Sequence, residues 1–150
     1  MPQKTLSTIL IILGLAAVLI AVSIFAFGPD ATAQAAAALN ALVLGPQPVV
    51  EGFQHVNVDN ELRFYSVYWF AYGCVLIATG GNLSKYLSRV PYLAAIFFAS
   101  GVGRIVSYYS VGAPQELFTS LMGLELALPV LMAVLWRQVV RQRTSTLATD

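Results

Sequence analysis

Residues 5–27 read TLSTILIILGLAAVLIAVSIFAF and contain no charged side chain. A helix that spans a bilayer needs about 20 mostly apolar residues, because the helix rises about 1.5 Å per residue through a hydrocarbon core about 30 Å thick. The stretch is long enough for this and predicts a transmembrane helix. Gly28-Pro29-Asp30 follows directly and predicts the end of that helix.

The same stretch has two features of a secretory signal peptide. Lys4 places a positive charge before it, and Ala31-Thr32-Ala33 resembles a cleavage site. Its apolar run is much longer than the 7–15 residues or so of a signal peptide. We therefore expect it to remain in the protein as a first span, with cleavage as the alternative.

The composition of the whole chain also indicates lipid as its surroundings. Of 150 residues, 58% are hydrophobic and 10% are charged, whereas a soluble domain has about 25% charged residues. The net charge of +1 gives no reason to expect a nucleic-acid partner. A single cysteine, Cys74, excludes an intrachain disulfide and a multi-cysteine metal site, and we expect it to be a small buried hydrophobe.

Three further stretches are long and apolar enough to span a bilayer, which predicts one all-α membrane domain over residues 1–150. The four predicted spans are residues 5–27, 62–80, 90–110 and 117–136. Gly80-Gly81-Asn82 and Gly112-Ala113-Pro114 separate the later spans. The fold class is therefore a four-helix transmembrane bundle with a long loop between its first two helices. In that loop we expect residues 31–44 to form a short helix over the bundle and residues 49–60 to be extended.

The basic residues predict the orientation of the bundle. Lys4, Lys85, Arg89, Arg137, Arg141 and Arg143 all fall on one side if the spans alternate in direction. The two loops on the other side contain no Lys or Arg. Positively charged loops remain in the cytoplasm, so we expect a multi-pass protein of the bacterial inner membrane with both termini in the cytoplasm and a periplasmic long loop. We expect the basic segment 137–143 to contact anionic membrane lipids.

Four charged residues lie within or at the edge of the predicted spans. Charges at membrane depth are costly and usually face the bundle interior with a partner. Arg104 and Glu125 lie at similar depth, about 9–13 Å from the periplasmic boundary, on helices joined by a short loop. We expect them to form a buried ion pair. Glu61 and Arg63 enter from the same side and form the second predicted pair.

These charges predict a polar pocket that opens to the periplasm. We expect Arg63, Tyr65, Arg104 and Ser107 to contact a small ligand. Tyr65 follows Glu61, and Ser107 follows Arg104, at helical spacing. The alternative is purely structural: the ion pairs set the register of the helices, and Tyr65 belongs to an interfacial aromatic belt. On the third span, Ala95, Ala99 and Gly103 form a stripe of small residues that would allow close helix packing.

A divalent metal ion, such as zinc, is a second candidate occupant of the pocket. Glu61 and Glu125 supply carboxylates, and His55 and Asp59 could complete a ligand set that suits such an ion. The spacing of these residues matches no strong metal-binding motif.

Several short motifs after residue 58 resemble those of a known protein family. They are DNELRFY at 59–65, GRIVS at 103–107, Gly112-x-Pro114 and ELALP at 125–129. Together they resemble a bacterial family of small four-helix membrane proteins of unknown function, which includes AciT-like inner-membrane proteins. The resemblance implies a role in envelope integrity and tolerance of antimicrobial stress. It implies no catalytic residues.

Three classes of function remain open at this point. The first is a non-enzymatic membrane protein that binds an ion or small ligand. The second is a small transporter that works as a dimer, a homo-oligomer, and uses the membrane-embedded Glu, as the small multidrug transporters do. In those transporters the Glu lies in the first helix, which is uncharged here. The third is a metal-assisted membrane enzyme that uses the Glu61 cluster. The sequence contains no evident nucleophile and base pair.

Overall fold

The computed structural model describes residues 1–46 and 48–147, with side chains to residue 145, and most of these residues are helical. The helices are α1 (Pro2–Phe27), α2 (Pro29–Leu44), α3 (Val56–Gly81), α4 (Leu83–Tyr86), α5 (Val90–Val111) and α6 (Glu116–Leu147). A 3-10 turn, Leu87–Arg89, joins α4 to α5. The four predicted spans correspond to α1, α3, α5 and α6, and the short helix predicted in the long loop corresponds to α2.

In the part of the chain that the structure describes, three segments are long and apolar enough to cross a membrane, which supports a membrane protein. They are Pro2–Phe27, Leu83–Val111 and Glu116–Ser145. Helix α3 has 26 residues, as many as α1, but it is not among them. Its charged first turns and its tyrosines lower its mean hydropathy.

The boundaries of two helices differ from the sequence prediction. The prediction of extended chain over residues 56–60 is wrong, because α3 already begins at Val56. His55 caps it: its Nδ1 accepts a hydrogen bond from the backbone N–H of Asn57 over 3.2 Å. Helix α6 continues past the predicted end at residue 136 to Leu147.

Helices α1 and α3 pack closely through glycines. A Cβ atom on Gly14 would lie 2.8 Å from the carbonyl oxygen of Gly73, and one on Gly73 would lie 2.8 Å from that of Gly14. Closer to the N terminus, the hydroxyl of Ser7 donates to the carbonyl of Gly80. Hence the start of α1 lies beside the end of α3, and the two helices are antiparallel.

One hydrophobic core lies at the end of the bundle that holds the N terminus, here called the terminal end. Its buried residues are Leu6, Leu10, Leu76, Leu83, Val90, Leu93, Ala94, Met132, Leu135 and Val139. They come from α1, α3, α4, α5 and α6. At its edge the hydroxyl of Tyr72 in α3 donates to the carbonyl of Leu93 in α5 over 2.8 Å.

A second, smaller core lies at the opposite end, here called the α2 end. There Ala33 and Ala37 of α2 pack with Val50 and with Leu117 at the start of α6. Gln34 fixes this arrangement, because its side-chain amide donates to the Val50 carbonyl and accepts from the Val50 N–H. Helix α2 and the segment that follows it therefore form a cap over this end.

Two packing predictions are wrong. Cys74 is exposed at the surface of the chain, not buried, because the buried face of α3 is the one that carries Gly73 and Leu76. Ala95, Ala99 and Gly103 are also exposed, and a Cβ atom on Gly103 would meet nothing within 4 Å. Helix α5 instead faces α6 with Phe97 and Gly101, which are both buried.

Candidate functional site

Arg104 and Glu125 form the ion pair that the sequence predicts. The Nε of Arg104 donates to Oε2 of Glu125 over 2.8 Å. The Glu125 side chain is 4% exposed, whereas that of Arg104 is 34% exposed. Glu125 is thus held inside the protein, and Arg104 extends from the pair toward the surface.

A glycine lets the two helices approach each other at this point. Gly101 lies one turn before Arg104, and a Cβ atom there would lie 3.2 Å from the Cβ of Glu125 and 2.9 Å from a methyl carbon of Leu126. A larger residue at this position would require the Leu126 side chain to move and would crowd the Cβ of Glu125. Pro129, which is buried, lacks the N–H that would bond the Glu125 carbonyl in a regular helix.

The site includes an aromatic residue that the sequence analysis missed. The guanidinium carbon of Arg104 lies 6.0 Å from the centre of the Phe118 ring, a separation at which a cation–π attraction is weak. The Phe118 ring in turn lies 5.7 Å from that of Phe53 in the cap. Phe118 and Glu125 are seven residues apart, two turns on one face of α6, and this spacing could have indicated the contact.

Arg63 is paired with Asp59, and the predicted pairing with Glu61 is wrong. Its Nε and Nη2 donate to the two carboxylate oxygens of Asp59 over 2.8 and 3.2 Å, since residues four apart share a helix face and residues two apart do not. Its Nη1 donates to the carbonyl of Phe25. The guanidinium, chiefly through its hydrogen bonds, holds the pKa of the Asp59 carboxyl below its usual range.

Arg63 therefore acts as a C-terminal cap of α1. The last carbonyls of a helix lack partners within it and carry partial negative charge, so a cation is favourable there. Gly28, with φ +90°, turns the chain at this point, and a Cβ atom on it would lie 2.8 Å from Nη2 of Arg63. A glycine is needed here both for the turn and for the space that the guanidinium fills.

The predicted metal ligands do not converge. Among residues 1–46 and 48–147, no group of three or more His, Cys, Asp or Glu side chains could hold a metal ion. Glu125 is paired with Arg104 and Asp59 with Arg63. Glu61 and His55 are exposed, and His55 uses its Nδ1 as a helix cap.

Two of the four residues predicted to bind a ligand are on the surface. Tyr65 is 52% exposed, and Tyr68 on the next turn is 60% exposed. Both contact Phe64 edge-on with ring centres 5.4 Å apart, an arrangement that fits the aromatic belt. Ser107 is exposed on α5. Of the predicted set, Arg104 alone contacts a charge buried within the bundle.

Comparisons with known proteins complete the description. Searches of curated proteins and of solved structures each found no significant match. The family model of DUF4345, a domain of unknown function, matches residues 5–136. This match confirms the predicted membership of a family of unknown function, while the AciT-like branch stays a prediction. The chain therefore belongs to the DUF4345 family.

Proposed function

We propose that the protein is a non-enzymatic membrane protein that binds a small anionic ligand through Arg104. The observation that carries the proposal is the unequal exposure of the ion pair. Glu125 is buried and neutralises the charge locally, but the Nη1 and Nη2 groups of Arg104 make no hydrogen bond within the described part of the chain. They are donors without a protein partner on a side chain that is one-third exposed.

The exposure of Arg104 matters because this residue lies well inside its predicted membrane span. Arg104 lies seven residues before the end of α5 at Val111, which is about 10 Å of helix. A guanidinium exposed at that depth is costly unless water or an anion satisfies its donors. Its planar pair of Nη groups suits a carboxylate or phosphate, which can accept two parallel bonds.

An anion fits this site better than the divalent ion predicted from the sequence. A metal ion would need several oxygen or nitrogen ligands, and Glu125 already has a cationic partner at 2.8 Å. Glu61, the other carboxylate expected to bind the ion, is on the surface of α3.

We further propose that α3 is a fourth span, so that both termini share one side of the membrane. The close glycine packing of α3 on α1 supports this, because α1 is itself apolar enough to span. The distribution of Lys and Arg assigns that side to the cytoplasm. The α2 cap then lies on the periplasmic side of a bacterial inner membrane. The motif resemblance supports a role in envelope integrity and stress tolerance.

A binding titration with a defined lipophilic anion tests the ligand proposal. Decanoate labelled with ¹³C at its carboxyl carbon would be titrated into the purified protein in neutral detergent, with binding followed by NMR. We expect a saturable shift with the wild type that is lost in Arg104→Gln. Arg63→Gln is the matched control, since it removes an equal charge whose donors are already occupied. Equal loss in both variants, or no saturable shift with decanoate or decyl phosphate, would refute the proposal.

A further inference from the structure

The terminal end of the bundle carries a polar cleft that none of the functions above uses. It lies between the first turns of α1 and the junction of α3 with α4, and its volume is about 400 Å³. That volume falls within the range of about 300–1,000 Å³ found for small-ligand pockets. Lys4 and Thr8 lie on one wall, and Asn82 and Ser84 lie on the other.

Two polar side chains of this cleft already accept hydrogen bonds from the protein. Oδ1 of Asn82 accepts the N–H of Lys85 over 3.2 Å. Oγ of Ser84 accepts from Nε2 of Gln3 and from Nη2 of Arg143, each over 3.3 Å. Asn82 and Ser84 therefore face a ligand chiefly as hydrogen-bond donors.

The donors, in contrast, are available. Because Ser84 Oγ accepts two hydrogen bonds, its own hydrogen is left to donate. The Asn82 Nδ2 and the Lys4 ammonium make no hydrogen bond or ion pair within residues 1–46 and 48–147. A cleft with three free donors, one of which is the Lys4 ammonium, is suited to an anion.

The charged side chains that the structure describes in or beside the cleft are all positive. Lys4, Lys85 and Arg143 lie in or beside it. The acidic residues that the structure describes fall within residues 30–61 and 116–125, and the cleft lining contains none of them. No carboxylate within the described lining competes with an incoming anion.

We propose that this cleft binds a phosphate group, carried by an anionic phospholipid at the membrane surface or present as free phosphate. Basic clefts between helix ends are suited to phospholipid headgroups. Ser84 and Asn82 supply neutral donors, and Lys4 supplies the charge. The site is separate from Arg104, so failure of either proposal leaves the other standing.

Native mass spectrometry of the intact protein, released from detergent with added lipid, tests the proposal. We expect phosphatidylglycerol to bind more tightly than phosphatidylcholine of the same acyl chains. Lys4→Gln should weaken phosphatidylglycerol binding about fivefold, as expected for one lysine at a membrane surface. Arg89→Gln is the matched control, because it removes the same charge from an exposed position at the same end outside the cleft, and its effect should be less than twofold.

Two further arms complete the experiment. Ser84→Ala keeps every charge and should also weaken binding, with circular dichroism confirming that each variant is folded. Inorganic phosphate at millimolar concentration should displace the lipid if free phosphate is the ligand, and should leave it bound if the headgroup is. Equal effects of Lys4→Gln and Arg89→Gln, or binding of neither phosphatidylglycerol nor phosphate, would overturn the proposal.

Discussion

Arg63 in α3 donates a hydrogen bond to the carbonyl of Phe25 in α1 while Asp59 holds the same guanidinium with both carboxylate oxygens. The three residues join the end of one helix to the start of another, at the point where Gly28 turns the chain into the cap. The ion pair at the start of α3 thus has a structural role. It holds Arg63 in place as the cap on the last turn of α1, where the chain enters α2.

Removing the Asp59 carboxylate should lower the stability of the protein. In Asp59→Asn, Arg63 loses its charged partner and is less firmly directed at the Phe25 carbonyl, so we expect a lower Tm in detergent. Glu61→Gln is the control, because Glu61 lies two residues away on the exposed surface. Equal Tm values for the two variants would show that the Asp59–Arg63 pair contributes nothing.

The Asp59 contribution should depend on pH. The pKa of this carboxyl is lowered in the folded protein, so its contribution is complete above the unfolded pKa of about 3.9 and is lost as pH falls through the folded value. The Tm difference between wild type and Asp59→Asn should therefore persist at pH 7 and 5. It should shrink below about pH 4. A difference that disappears between pH 7 and 5 would assign the effect to another group.

The two halves of the Arg104–Glu125 pair should respond unequally to substitution. Arg104→Gln leaves a carboxylate that is 4% exposed, whereas Glu125→Gln leaves a guanidinium that is 34% exposed and can reach water. We expect Arg104→Gln to cost about 3 kcal/mol and Glu125→Gln to cost less. Unfolding in increasing sodium dodecyl sulfate would measure both.

A double substitution provides the control for the ion pair. Arg104→Met with Glu125→Leu replaces both charges by apolar groups and should recover most of the lost stability, since buried pairs are often replaceable in this way. If the double variant is as unstable as the sum of the single variants Arg104→Met and Glu125→Leu, the pair does not interact energetically.

The glycine contact between α1 and α3 should not tolerate a methyl group. In Gly73→Ala the new Cβ would lie 2.8 Å from the Gly14 carbonyl oxygen, and that backbone atom cannot move without shifting α1. We expect a loss of about 1–3 kcal/mol in unfolding free energy. Gly103→Ala is the control, because its Cβ meets nothing within 4 Å and alanine favours helix. Comparable losses would contradict the packing described here.

The proposed membrane topology can be tested by cysteine labelling in cells. In a Cys74→Ala background, Ala38→Cys on the exposed face of α2 should react with a membrane-impermeant maleimide added from outside. Gln138→Cys on the exposed face of α6 should react only after the inner membrane is permeabilised. Labelling of both positions from outside would place the two helix ends on one side and refute the topology.

The sequence by itself determined the helices and one of the two ion pairs. Hydropathy is a local property that follows from residue type, so the uninterrupted run of residues 5–27 is sufficient to predict α1, and Gly28-Pro29 to predict its end. Arg104 and Glu125 could be paired from the sequence, because a short loop makes their two helices antiparallel neighbours. Residues at equal depth on such helices lie next to each other. No tertiary information was needed for that step.

Only the tertiary structure decided how each helix is rotated about its axis, and the differences in helix packing follow from this. The rotation turns Gly73 toward α1 and Cys74 outward, and it turns Gly101 rather than Gly103 toward α6. His55 and Glu61 are exposed, whereas Glu125 is buried beside Arg104, so the predicted metal ligands do not meet among the described residues. The helices are apolar on every side, and any of their faces can contact lipid. The hydropathy pattern therefore does not show which face packs against another helix. That face is selected by close steric fit.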